Sequence, residues 1–120
     1  MSEWTIKKGN TSQQDIPIKD ADGNLVTNLA DADTIVFEVK EKPGDTSPKI
    51  QKTKGSGITV NTPESGYLRL KVDSADSKNL ELKEYFMGLE ITWGDDAYEV
   101  DLQIDGVVTQ KLRIVQDVVQ

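Results

Sequence analysis

The strongest constraint on this chain is an alternation of apolar and polar residues with a period of two. The alternation occurs in runs of five to nine residues, and Gly, Pro, Asn and Asp separate the runs. Because successive side chains of a β-strand point to opposite faces, such runs predict strands with one buried and one solvated face. No long run has the periodicity of an apolar helix face, so the sequence predicts an all-β protein.

The clearest runs indicate which residues should face the core. Tyr85–Trp93 is the longest and predicts a central strand. It is followed by runs at Tyr98–Ile104 and Lys111–Ile114, with a hairpin signal at Asp105–Gly106 between them, so these three runs predict an antiparallel meander. The predicted inward residues are Ile35, Phe37, Val39, Leu68, Leu70, Val72, Tyr85, Met87, Leu89, Ile91, Trp93, Tyr98, Val100, Leu102, Ile104, Leu112 and Ile114.

Weaker runs complete the set of strands. One contains Pro17, which has no N–H to donate, so we expect that strand at an edge of the sheet. Asp73–Leu80 has capping residues and predicts one short helical turn. The weaker strands are Trp4–Lys8, Asp15–Lys19, Ile50–Lys54 and Gly57–Asn61. The expected fold is a single domain over residues 1–120, an immunoglobulin-like antiparallel β-sandwich of about eight to nine strands. A closed or partly open barrel is the alternative.

Composition removes most catalytic chemistry. The chain has no cysteine and no histidine, so disulfides, thiolate nucleophiles, most acid–base catalysis and the usual zinc ligands are excluded. Asp20–Asn24 is rich in oxygen ligands but lacks the spacing of a calcium loop, and it predicts a turn. We therefore expect no enzyme activity, no cofactor and no metal. A hydrolase that uses carboxylates alone is the remaining catalytic alternative.

Charge and hydropathy limit the partners. The formal net charge is −7: residues 1–72 carry ten basic and ten acidic side chains, whereas residues 73–120 carry four basic and eleven acidic ones. This balance opposes binding to nucleic acid, whose phosphates require a basic surface. No apolar run is long enough for a membrane helix, and the first residues lack the apolar stretch of a signal peptide. We therefore expect a protein that is made and kept in the cytosol, or that leaves it without the usual export signal.

Two charged clusters are candidate interfaces. Lys49, Lys52 and Lys54 follow a Pro- and Gly-containing loop, and Asp95 and Asp96 begin an acidic cluster that continues towards the C-terminus. The first hypothesis is that the basic segment of one copy meets the acidic hairpin of another copy in a head-to-tail ring. The alternative is that both clusters are solvated faces.

The two tryptophans are candidates for recognition. Trp93 shares the apolar face of its strand, which favours burial. Trp4 lies near the N-terminus, where it closes one end of the core or docks into a neighbour. An exposed, coplanar pair of aromatic rings would instead indicate a carbohydrate-binding or adhesion module.

The order of strands and turns resembles that of small β-sandwich modules of tailed-phage tails and baseplates, including the N-terminal domains of baseplate upper proteins. The resemblance covers nearly the whole chain. It lies in Ile16–Asp20, Gly23, Leu25–Val26, Ile35–Val39, Gly57–Val60, Gly66–Leu70, Ser74–Ser77, Tyr85–Trp93, Val100, Gly106 and Leu112–Val118. In contrast to baseplate upper proteins that continue into further domains, this chain ends at Gln120.

The resemblance implies a virion component that is assembled in the host cytoplasm. Its partners would be other tail proteins or further copies of itself, and it has no catalytic residue to carry over. We therefore expect a structural or adaptor protein of a phage or prophage tail or baseplate, which acts through protein–protein contacts.

Overall fold

A computed structural model describes residues 3–104 and 107–116. In these ranges the chain forms eleven strands, a single α-helical turn and a 3₁₀ turn at Leu29–Asp31, so the all-β prediction is confirmed. None of the helical segments in these ranges has the length and apolar character needed to cross a membrane. The elements are β1 Trp4–Lys7, β2 Ser12–Pro17, β3 Thr34–Lys40, β4 Ile50–Lys54, β5 Gly57–Val60, β6 Tyr67–Val72, α1 Ser74–Ser77, β7 Glu84–Trp93, β8 Asp96–Val100, β9 Gln103–Ile104, β10 Val107–Val108 and β11 Lys111–Val115.

Nine of the described strands form one mixed, nearly closed sheet. Eight of them follow the order β1-β11-β7-β3-β4-β5-β6-β2, β8 joins β7, and β9 pairs with β10 separately. β2, which contains Pro17, lies at one end of this order, as predicted. The expectation of a wholly antiparallel arrangement is wrong, because β1 pairs in parallel with β11 and β4 in parallel with β5. Gly55 and Gly57 have positive φ angles, which lets the chain loop between β4 and β5 and continue in the same direction.

The alternation identifies the core correctly at nearly every position. Among the predicted inward residues, Trp93 and Val100 are half-buried, Tyr98 is 52% exposed, and the others are buried. Burial of these aliphatic and aromatic side chains on the inner face is the main stabilising contribution to such a sheet. The predicted helical turn is also confirmed, since α1 begins with a capping box between Asp73 and Asp76.

The predicted C-terminal meander is confirmed in its first hairpin, since β8 pairs antiparallel with β7, and is wrong in its third strand. The run at Tyr98–Ile104 is interrupted, giving β8 and the short β9, and β11 returns to pair with β7 and β1 instead of following its predecessor. Asp105 and Gly106 lie outside the described residues, but the strands that flank them pair antiparallel. The pattern of side chains sets the faces of each strand, whereas its partner depends on which edge of the sheet is free.

Trp4 belongs to the core. Its side chain is 2% exposed, its ring centroid lies 6.0 Å from that of Phe37, and its Nε1–H donates to Ser12 Oγ at 3.0 Å. The hypothesis that Trp4 docks into a neighbour is therefore corrected: its aromatic surface is used inside the molecule, and the hydrogen bond satisfies its single polar atom.

The packing of Trp4 gives a prediction about stability. Replacing Trp4 by Ala should lower the free energy of unfolding by about 3–5 kcal/mol, because a large cavity replaces the indole ring. Trp4→Phe should cost about 1–2 kcal/mol, since it loses the bond to Ser12 and part of the packing. Urea denaturation measures both variants, with the exposed Tyr98→Ala as the control. Equal stability of Trp4→Ala and the unaltered protein would contradict core placement.

A charged cluster on the outer surface connects β1, β11 and β7. Arg113 Nε lies 3.1 Å from Glu3 Oε1, and its Nη2 lies 3.2 Å from Glu84 Oε2, while Lys111 Nζ lies 3.2 Å from Glu84 Oε1. The hydrogen bond from Lys111, followed by the nearby cationic charges, lowers the pKa of Glu84 below its ordinary value of 4.5.

This lowered pKa predicts an acid-dependent loss of stability. Because the pKa of Glu84 is lower in the folded than in the unfolded state, its contribution is present above pH 4.5 and is lost as the pH falls through the folded-state pKa. The stability difference between the unaltered protein and Glu84→Gln should therefore shrink on acidification. Urea denaturation at neutral and acid pH measures this difference, and a gap that does not change with pH would contradict the assignment.

Candidate functional site

Strand β8 has an open edge. Its residues are exposed from Asp96 to Glu99, and it pairs only with β7 in the part of the chain that the structure describes. Thr92 O accepts from Asp33 N on the β3 side of β7, so the backbone groups of Thr92 point away from β8. Ala97, its partner in the β7–β8 register, therefore directs its N–H and C=O outward, and Glu99 does the same two residues later. No hydrogen bond joins these groups to another described segment.

A cleft of about 850 Å³ lies next to this strand. It separates β8 from the segment that continues β2, where a bridge between Lys19 and Leu25 forms a small hairpin. We call this space the β8 cleft. Its apolar wall consists of Ile18, Val26, Ile91, Trp93, Tyr98 and Val100, and its polar lining includes Lys19, Asp20, Asn28, Asp96, Glu99, Asp101 and Gln103.

The apolar wall belongs to the inner face of the sheet. Tyr98 is the register partner of Ile91, which is fully buried, so the two side chains share a face. Tyr98 nevertheless remains exposed, because no further strand of the described ranges lies beyond β8 to cover it. The β8 cleft is thus a stretch of inward-facing apolar surface that the chain itself leaves open to solvent.

The two aromatic rings of the cleft are held in place but are not coplanar. The Trp93 and Tyr98 centroids are 5.8 Å apart and the rings meet at 65°. Trp93 Nε1–H donates to Asn28 O at 3.2 Å, which connects β7 to the opposite wall. The prediction from the sequence is therefore correct for the face of Trp93 but not for its burial. The side chain is half-exposed at the mouth of the cleft.

The opposite wall is a compact turn. Asp20 Oδ1 accepts from the backbone N–H groups of Asp22 and Asn24, at 2.9 and 3.0 Å, and Gly23 has a φ of 83°. The carboxylate thus organises its own loop, and the turn predicted from Asp20–Asn24 is confirmed. Among the described residues there is no group of three or more side chains placed to hold a metal ion.

The rim of the cleft is acidic. Asp20, Asp96, Glu99 and Asp101 are exposed, and Asp95 lies beside them in the turn before β8. Several carboxylates elsewhere in the described chain form ion pairs with lysine or arginine. Asp95, Asp96, Glu99 and Asp101 form no ion pair with a described residue. A cationic ligand would therefore meet negative charge that is not already neutralised.

The lysines of the predicted basic interface are not assembled with this rim, because they bind other parts of the chain. Lys49 Nζ lies 3.4 Å from Glu41 Oε1. Lys54 Nζ donates to Ala30 O at 2.6 Å and to Ala32 O at 2.9 Å, which anchors the 3₁₀ turn. The head-to-tail hypothesis used these lysines as the basic surface, whereas in the structure each of them contacts another part of its own chain.

Lys52 is more deeply buried than Lys49. Its side chain is 11% exposed, and its Nζ lies 2.7 Å from Asp76 Oδ2 and 3.6 Å from Asp73 Oδ2 at the start of α1. Its stem packs under Gly57, where an added Cβ would come within 2.5 Å of Lys52 Cδ. Lys52 therefore joins β4 to α1 and is not a free interface residue. The basic spacing of the sequence gave no signal of this role.

The position of Lys52 gives a second stability prediction. Lys52→Glu should lower the free energy of unfolding by about 1–3 kcal/mol, because it replaces a largely buried cation beside Asp73 and Asp76 with a third carboxylate. Lys49→Glu, at an exposed pair, should change it by less than about 1 kcal/mol. Thermal and urea denaturation of the two variants provide the comparison. Equal losses would show that Lys52 is no more integrated than Lys49.

A second concavity, of about 460 Å³, lies on the outer face of the sheet. It is lined by parts of β3 and β7, and it shares Glu99, Val100 and Asp101 with the β8 cleft. Strand β8 and the bend that follows it thus have an open concave surface on both faces, which adds to the exposure of the strand's edge.

Comparison with known proteins does not identify the chain. No protein-family model, no curated protein and no solved structure matches it. The resemblance to tail and baseplate modules therefore remains a prediction from the sequence.

Proposed function

We propose that this protein is a structural or adaptor component of a phage or prophage tail or baseplate, and that it acts by binding neighbouring proteins. The observation that carries the proposal is the open edge of β8 beside an uncovered, inward-facing apolar surface with an acidic rim. Exposed strand edges and apolar clefts are surfaces to which other chains add. The order of strands and turns that resembles tail modules supports the same function.

The proposed function also implies where the protein is assembled and which β-fold it has. A virion component would be assembled in the host cytoplasm from other tail proteins, with further copies of this chain as additional partners. An immunoglobulin-like arrangement would agree with the resemblance. Such a domain would differ from a wholly antiparallel sandwich in two ways: its sheet is nearly closed, and it contains two parallel pairs of strands.

The geometry gives less support to the two alternatives. A flat carbohydrate platform requires coplanar exposed rings, whereas Trp93 and Tyr98 meet at 65° and Trp4 is buried. A carboxylate-dependent hydrolase requires a general acid in a water-poor site, which raises its pKa. The carboxylates of the β8 cleft are exposed to solvent. Assembly through protein contacts is therefore the function that the site supports best.

The test of the proposal is whether the protein is part of a particle. Phage or phage-tail-like particles released by the encoding cells should contain this chain when gradient-purified fractions are analysed by mass spectrometry. Antibodies against the chain should label one region of the tail in electron micrographs. Deleting the gene should give particles with an incomplete tail, and the unaltered gene supplied in trans should restore them.

The control for this test is a cytoplasmic protein of the same cells, which should be absent from the same fractions. If particles form and infect normally without the gene, and if the chain is found only in the soluble fraction, a structural role in the tail is ruled out.

A further inference from the structure

The geometry points to strand addition at β8: an extended, lysine- or arginine-containing segment of a different protein pairs with the outer edge of β8 and places an apolar side chain in the β8 cleft. This inference rests on the proposed assembly function and names its contact surface and the chemistry of the partner. Three observations carry it, namely the direction of the backbone groups, the uncovered apolar wall and the unpaired carboxylates.

The backbone supplies the first part of the recognition. Ala97 and Glu99 direct their N–H and C=O groups away from β7, as the register and the bond from Asp33 N to Thr92 O establish. A strand laid along this edge would form hydrogen bonds with both residues, which is how extended peptides extend an open sheet. The bonds would be independent of the sequence of the partner.

The cleft supplies the second part. In a strand next to β8, every second side chain would point to the inner face of the sheet, towards Tyr98, Val100 and the Val26 wall. An apolar side chain there would cover surface that alternation places on the core side of the sheet. Covering apolar surface contributes roughly 25 cal/mol per Å² removed from water.

Charge determines which chain provides the strand. Two β8 edges paired with each other would bring together Asp95, Asp96, Glu99 and Asp101 from both copies, and like charges opposite each other in a sheet are destabilising. Lys52 and Lys54 bind other parts of the chain and the exposed Lys49 pairs with Glu41, so this basic segment has little unpaired charge to complement the rim. A basic segment of another protein would meet no like-charge repulsion and would bring cations that are free to pair. These cations would pair with carboxylates that form no ion pair in the described chain.

The probe for this inference is a short capped peptide in which lysine and valine alternate. We expect the peptide to bind, to shift the amide resonances of Ala97 and Glu99 in nitrogen–proton correlation spectra, and to change the fluorescence of Trp93. The affinity should fall as salt is raised. The same peptide with alternate backbone nitrogens methylated should bind at least about tenfold more weakly, because it cannot form the strand hydrogen bonds.

Protein variants separate the contributions of backbone and charge. Ala97→Pro removes the outward N–H while leaving the bonds to β7, and it should weaken binding about tenfold, whereas Ala97→Val keeps the N–H and should bind normally. Glu99→Lys combined with Asp101→Lys should also weaken binding about tenfold or more. Glu81→Lys, a charge change at the opposite end of β7, is the control. Circular dichroism checks that each variant is folded.

Several outcomes would overturn the inference. Equal binding of the methylated and unmethylated peptides would show a charge effect without strand addition. Binding of a peptide with glutamate in place of lysine, or no binding of the basic peptide, would remove the proposed chemistry. Binding of soluble oligosaccharides in the cleft without peptide binding would assign it to a glycan. If particles contain the chain and the folded Ala97→Pro variant still assembles them fully, strand addition is wrong while the tail function stands.

Discussion

The sheet depends on how the two edges of β7 are used. Along one edge β7 pairs with β3 over nearly its whole length, while the other edge is divided between β11 near Glu84 and β8 near Trp93. The half that pairs with β11 is closed further by β1, and the inward side chains there, such as Tyr85 and Leu112, are buried. In the described chain, no further strand lies beyond the half that pairs with β8. The two ends of β7 therefore border a closed part of the sheet and an open edge next to an apolar cleft.

The charged residues divide in a similar way. Around the closed half, Glu84, Arg113 and Lys111 form pairs across strands, and Lys52 connects β4 to the helical turn. Of these cations, Lys52 was predicted to contact a partner, and the structure uses it within the chain. The carboxylates around β8 have no such pairs, so negative charge that is not neutralised lies where the backbone is also unpaired. Charge and open backbone at one place are a stronger indication of recognition than either feature alone.

The sequence predicted the faces of the strands better than their neighbours. Alternation placed Phe37, Leu70 and Ile91 in the core correctly, because a period of two is a local property of an extended chain. It also placed Tyr98 on the inner face correctly, but exposure depends on whether another strand lies beyond β8, which is decided by pairings far along the chain. The parallel contact of β1 with β11 and the internal role of Lys52 are similarly non-local. The acidic half of the candidate site was visible in the composition, whereas its apolar wall around Val26 was not.

The carboxylates at the edge of β8 oppose the self-association that an open strand edge favours. An exposed strand edge bordering apolar surface favours aggregation with identical copies, and charged side chains on the edge oppose that pairing. In β8 the charges lie at Asp96 and Glu99, on both sides of Tyr98, so a second copy would face repulsion at Glu99, whose backbone groups point outward, and at Asp96, next to Ala97. These carboxylates destabilise the pairing of β8 with an acidic strand or with a second copy of β8, and they stabilise its pairing with a basic strand. Protection against self-association and selection of a partner are therefore two effects of one arrangement of carboxylates.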